Sequence, residues 1–160
     1  MLGATMATTA ARETFDVVVV GGGTAGLHAA GELAVLGLRV VVLEKRGAGR
    51  SGARWCNGVL DWQLTRAGLG TSWITGYPRT SASHMLSPSG RHRFTIEDNP
   101  IIEADMRALV DHLRARAEAA GVDLRWGVSD VSLSLRGGRA VGLSARQGEH
   151  PLAFDAPLFV

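Results

Sequence analysis

The sequence is short of several things, and each shortage excludes something. One cysteine, Cys56, stands among 160 residues, so no internal disulfide can form and the expected setting is a reducing one, the cytoplasm. No apolar run approaches the roughly 20 residues that a membrane span needs. The opening stretch MLGATMATTAARET has neither a basic start nor a sustained apolar core, so it does not read as a secretory signal. His84, His92, His112 and His150 show no metal-ligand spacing and have no paired cysteines beside them, so no metal site is expected. No Ser–His–Asp set and no carboxylate pair stands out, and no catalytic residue is nominated. Aromatics do not interleave with basic residues in a repeat and no nucleic-acid-binding motif is present, which excludes a nucleic-acid partner.

Lysine is just as scarce: of 17 basic residues only Lys45 is not arginine, a compositional habit rather than a functional sign. The net charge of +2 is unevenly spread. Residues 45–93 hold 8 basic groups against one acid, Asp61. Such a segment either faces an anion or is a solvated surface.

Glycine, at 21 residues, is plentiful, and its placement is informative. Residues 15–20 are a continuous β-branched run halted by glycine, the pattern of a strand buried on both faces. Residues 24–36 carry Leu27, Ala30, Leu33 and Ala34 at helical spacing, and Gly37 ends the helix. Residues 39–43 form a second buried strand, closed by Glu44. The unit is βαβ. Residues 45–100 then break the alternation with a long insert rich in Gly, Ser, Arg and Trp, in which short strands are expected near 75–77 and 91–96. A helix is expected over 102–120, with Met106, Leu109, Val110, Leu113, Ala117 and Ala120 on one face. A strand follows at 122–126, then a three-stranded β-meander over 128–135, 139–146 and 151–155, and a last apolar run at 157–160. Residues 1–13 are expected to be a loosely ordered tail and 14–160 one domain.

The turn between the first strand and helix reads Gly21-x-Gly23-x-x-Gly26, and Glu44 ends the next strand. In that strand–turn–helix–strand context the pattern predicts a dinucleotide site. Gly21 permits the tight turn, Gly23 lets the backbone approach a pyrophosphate, and Gly26 lets helix and strand pack closely. The diphosphate would rest on unpaired amides at the positive end of the helix, and Glu44 would accept from ribose hydroxyls. NAD and FAD both use such a turn. FAD is favoured because about 57 residues separate Glu44 from the next clear helix, because a meander replaces a crossover helix, and because Lys45 and Arg46 follow the acid.

The stretch DVVVVGGGTAGLHAAGELAVLGLRVVVLEKR resembles the amino-terminal FAD fingerprint of the glutathione-reductase-like FAD superfamily. The insert, then ADMRALVDHLRARAEAAGVDLRWG, then the meander are similar to the branch that holds aromatic-ring hydroxylases, flavin halogenases and geranylgeranyl-reductase-type enzymes. The resemblance spans residues 15–160 in organisation, with the motif itself in 15–46. It implies an α/β, Rossmann-like FAD-binding domain with a parallel central sheet, and an FAD-dependent oxidoreductase using NAD(P)H or another donor on a small organic substrate. The tryptophan-rich basic insert itself points to an apolar or aromatic substrate with an anionic group. Gly21, Gly22, Gly23, Thr24, Ala25 and Gly26 would hold the diphosphate, and Glu44 the adenosine ribose. Lys45 or Arg46 would lie beside the adenine, Arg50 or Arg54 near the phosphates, Arg107 early in the long helix, and Val128 near the adenine. The second and third FAD motifs of that superfamily do not occur in the sequence, so it is expected to be the amino-terminal part of a longer flavoprotein. An NAD(P)-dependent dehydrogenase and a non-catalytic nucleotide-binding module are the alternatives.

Overall fold

The computed structural model describes residues 11–74, 82–97 and 99–160. In chain order the elements are β1 (Arg12–Thr14), β2 (Val17–Val20), α1 (Thr24–Val35), β3 (Val40–Glu44), β4 (Cys56–Leu60), α2 (Asp61–Arg66), β5 (Ala82–Leu86), β6 (Arg93–Glu97), β7 (Ile101–Asp105), α3 (Met106–Ala119), β8 (Asp123–Trp126), β9 (Val128–Arg136), β10 (Arg139–Gln147), β11 (His150–Asp155) and β12 (Leu158–Phe159). They divide into two compact units, one comprising Met1–Gly52 with Leu113–Val160, the other Ala53–His112. Among the described residues no helix is long and apolar enough to cross a membrane.

The first unit is built on a parallel sheet in the order β12-β2-β3-β8. Its two central strands are the valine runs, and Val17, Val18, Val19, Val40, Val41, Val42 and Leu43 are all buried. Burial on both faces is what continuous β-branched runs require. Each such side chain contributes roughly 1.5–3 kcal/mol relative to leaving it in water. A second sheet, ordered β1-β11-β10-β9, holds the meander in antiparallel pairing. Val18, Val41 and Leu43 of the parallel sheet share a core with Val128, Leu143, Ala145 and Phe154 of the second. Because strand side chains alternate, Val17 and Val19 point the other way, and Val19 lies against the first turn of α1. On that face α1 buries Leu27 and Ala30, and Gly31 of α1 stands over Ala117 of α3.

Both ends of α1 are written in the sequence. Gly37 has φ 86, and the amides of Gly37 and Leu38 close onto the carbonyls of Ala34 and Leu33. This is the left-handed termination that glycine makes inexpensive. Gly121 ends α3 in the same way, its amide reaching Glu118 and that of Val122 reaching Ala117.

Three expectations are corrected. Arg12 and Glu13, assigned to a loose tail, are strand residues: β1 pairs in parallel with β11, Arg12 opposite Ala153, and widens the expected three-stranded meander to four strands. The helix expected over 102–120 begins at Met106, because Ile101–Asp105 is extended as β7 and pairs antiparallel with β4. Ile102 and Ala104 are buried while Ile101 and Glu103 are exposed, a period of two that prevails over the helical reading. The insert is also more structured than expected, since it holds β4, α2 and the β5–β6 hairpin in the second unit. The strand expected near 75–77 lies outside the described residues; the one at 91–96 is β6.

Candidate functional site

The glycine turn joins β2 to α1, and each glycine has its own reason. Gly21 takes φ 114, which a side chain disfavours, and its amide donates to the Leu43 carbonyl at 2.8 Å. A Cβ on Gly26 would lie 1.9 Å from the Gly21 carbonyl oxygen and 3.3 Å from a Val19 methyl, so the turn itself forbids one. Gly23 differs. Its φ of −86 and ψ of −171 suit any residue, and the nearest atom to a Cβ placed there is Gly52 Cα at 3.8 Å. Neither its backbone conformation nor its packing within the protein demands glycine, and the space above it is open.

Gly23 is also the N-cap of α1, and no side chain caps the helix or places an acid in its first turn. The amides of Thr24, Ala25 and Gly26 therefore present the positive end of α1 with no capping side chain over them. Ser51, beside Gly52, is buried, and its hydroxyl has no hydrogen-bond partner among the described residues. A bare glycine, free helix amides and an orphaned hydroxyl are a donor set that fits an anionic diphosphate.

Glu44, at the end of β3, is buried. Its Oε2 accepts from the Gly22 amide at 2.7 Å and its Oε1 from the Arg46 amide at 2.8 Å. A carboxylate offers about four lone-pair sites, so two contacts leave capacity for sugar hydroxyls. Glu44 also lines a cavity of about 480 Å3 with Val20, Gly21, Leu43, Lys45, Arg46 and the stretch 128–131. The cavity opens at the carboxyl ends of β2 and β3, where ligands bind in open α/β sheets. Arg46 also anchors the neighbouring loops: its guanidinium donates to the Gly52 carbonyl at 3.4 Å, and its carbonyl accepts from the Gly127 amide at 3.2 Å.

The fold thus brings together Gly21, Glu44, Lys45, Arg46 and Val128 around one cavity, next to the turn formed by Gly22, Gly23, Thr24, Ala25 and Gly26. Arg50 is exposed in the loop after β3, its amide bonded to the Gly47 carbonyl at 3.0 Å, and it does not line that cavity. Arg54 and Arg107 belong to the second unit, both exposed, with the Arg107 amide held by Asp105 at 2.8 Å. Sequence reasoning missed Ser51, Trp126, Ser129, Asp130 and Val131. Trp126 pairs with Glu44 across β3 and β8, and its ring would stand 3.2 Å from a Cβ on Gly22. Only the strand register reveals that neighbour.

Residues 16–75 match the protein family described as FAD binding domain. Over that stretch the chain is similar to FAD-binding domains. It is 33% identical over 164 residues to the FAD-dependent monooxygenase OpS4 of Beauveria bassiana, a match covering 90% of this chain and 38% of that protein. The crystal structure of a geranylgeranyl bacteriochlorophyll reductase-like protein from Thermoplasma acidophilum superposes with a TM-score of 0.78 at 25% identity, over 93% of this chain and 39% of that one. The myxobacterial chondrochloren halogenase CndH superposes with a TM-score of 0.72 at 23% identity, over 92% of this chain and 36% of that one, a likeness of fold. The chain thus spans about two fifths of the length of these relatives.

Proposed function

We propose that this domain binds FAD through the Gly21–Gly26 turn and the cavity beside Glu44, and that it serves an FAD-dependent oxidoreductase acting on a small organic molecule. The observation that carries the reading is the open floor at Gly23, a glycine whose own fold makes no use of the missing side chain. The diphosphate would lie on the amides of Thr24, Ala25 and Gly26, with Ser51 as a further donor. Glu44 would take the ribose, and Lys45, Arg46 and Val128 would frame the adenine. When bound, the flavin supplies the electron chemistry, and the protein supplies binding and orientation.

An apolar or aromatic substrate is the finer reading. It is supported by the second unit, where Trp55 and Trp62 are exposed, and by the 8 basic groups against one acid in residues 45–93. Turnover restricted to small neutral polyols would sink it. NAD(P)H is the proposed electron donor, and its test is anaerobic bleaching of the flavin band on its addition.

The nucleotide reading is tested by titrating the protein with FAD and with NAD, following flavin fluorescence for the first and calorimetric heat for the second. FAD should bind and NAD should not. Gly23→Val should abolish FAD binding, because its methyls would occupy the diphosphate position. Preferential retention of NAD would favour a dehydrogenase, and FAD binding without any redox turnover would favour a non-catalytic module.

A further inference from the structure

Asp130 is the one non-glycine residue with positive φ among the described residues, at 54°. The pairing of β9 with β10 explains where that conformation arises. Ser129 stands opposite Arg146 and Ser132 opposite Ser144, so Asp130 and Val131 together face the single residue Ala145. This is a β-bulge whose first residue is left-handed, a position that glycine fills at least cost. Among the described residues glycine fills the twelve other positive-φ positions, but an acid stands here. Bulges beside binding sites re-aim a side chain, and Asp130 lines the cavity that also holds Glu44 and Val128. Among the described residues its carboxylate has one hydrogen bond, the Ser129 hydroxyl donating to Oδ2 at 3.3 Å.

We infer that the Asp130 carboxylate selects the base of the bound nucleotide, accepting a hydrogen bond from the exocyclic amine of adenine. The inference rests on the nucleotide reading given above. The cavity contains two side chains that only accept, Glu44 and Asp130. The adenosine half of FAD carries two kinds of donor, the ribose hydroxyls and the amine. Glu44 is bonded to Gly22 inside the phosphate turn, and the ribose is the group joined to the phosphates, so the sugar falls to Glu44. Asp130 lies two residues beyond Val128 on β9 and lines the same cavity, which leaves the amine of the base to Asp130. A strained acid in place of glycine is then retained for base choice.

The test uses ADP and purine riboside diphosphate, which is ADP without the amine, titrated calorimetrically into the full chain. The wild-type protein should bind ADP about tenfold more tightly, the value of one charge-assisted hydrogen bond at an exposed site. Asp130→Gly removes the acceptor and relieves the backbone, so it should fold at least as well and bind the two nucleotides about equally. Asp130→Asn keeps a neutral acceptor, and its preference should fall between the two. Equal binding by the wild type, or a preference in Asp130→Gly as large as in the wild type, overturns the inference while leaving the nucleotide site standing. Failure of both ADP and FAD to bind overturns the site itself and the base choice with it.

Discussion

The Gly22 amide donates to Glu44 Oε2 at 2.7 Å, so the acid expected to grip a sugar already grips the glycine turn. A Cβ on Gly22 would lie 3.0 Å from Glu44 Cβ, which makes the bare residue the condition for that bond. Glu44 therefore has a structural role before any nucleotide arrives. Glu44→Ala leaves the Gly22 amide without an acceptor in a buried place, while the amide of the exposed Arg46 can turn to water. It should lower the stability of the ligand-free protein by about 1–3 kcal/mol, the cost of one buried donor left unpaired. Urea denaturation without nucleotide is the measurement. An unchanged midpoint would mean that Glu44 serves the ligand alone.

Gly23 and Gly26 should separate binding from folding. At Gly26 a Cβ meets the Gly21 carbonyl oxygen at 1.9 Å, while at Gly23 the nearest atom is 3.8 Å away. Gly26→Ala should destabilise by about 3 kcal/mol, since the turn backbone must move. Gly23→Ala should change stability by under about 1 kcal/mol, in the direction of a gain, and still weaken FAD binding. If the two alanine variants lose stability equally, Gly23 is a folding residue and the floor is not reserved for a ligand.

The two central strands, the glycine turn and the closing Glu44 were legible because their signals are local: a β-branched run, a φ that needs glycine, an acid at a fixed place. The helix face from Leu109 to Ala117 was legible for the same reason. What escaped depends on partners distant in the chain. Arg12–Thr14 looks like tail until β11 supplies its edge. Ile101–Asp105 continues a helical pattern on paper, and β4 draws it into a sheet. Asp130 is one acid in an alternating strand until the bulge against Ala145 turns it to the cavity. Ser51 is one serine of a polar loop, and only burial isolates its hydroxyl.

The edge strand β1 is tied down by two ion pairs, Arg12 with Asp155 and Glu13 with Arg125, and the second makes its attachment sensitive to acid. Arg125 donates to both oxygens of Glu13, at 2.7 and 2.6 Å, and also to Asp123 at 2.7 Å. Its guanidinium lies 5.2 Å from the Phe154 ring centroid and 5.8 Å from that of Phe15. The hydrogen bond from Arg125 holds the Glu13 carboxyl below its ordinary value of 4.5, aided by the attraction of the charges and opposed by partial burial. Arg125 is in turn held more firmly protonated, by Glu13 first and Asp123 second. A depressed carboxyl stabilises the fold above 4.5, and that stabilisation disappears as the pH falls through the lower folded value. Glu13→Gln should cost about 1 kcal/mol at neutral pH, the upper end for a partly exposed pair, and flatten the loss of stability on acidification. Thermal melts of both proteins from neutral pH to below 4.5 are the check. Parallel curves would remove Glu13 from the acid response.

Gly31 sits within α1 where glycine is a poor helix former, and its reason is the neighbouring helix. A Cβ there would stand 3.7 Å from Ala117 Cα and 3.9 Å from Ala117 Cβ, ordinary contact distances. One methyl fits and a branched side chain does not. Gly31→Ala should therefore stabilise the domain by roughly 0.5–1 kcal/mol, the difference in helix propensity. Gly31→Val should destabilise it by about 1–3 kcal/mol as α1 is pushed off Ala117. Chemical denaturation reads both. Because the change lies on the face of α1 away from the turn amides, FAD affinity should stay within about twofold in Gly31→Ala, well under the roughly tenfold that one charge-assisted hydrogen bond lost from the site would cost. A stability loss in Gly31→Ala would mean that the two helices pack more tightly than the 3.7 Å separation allows.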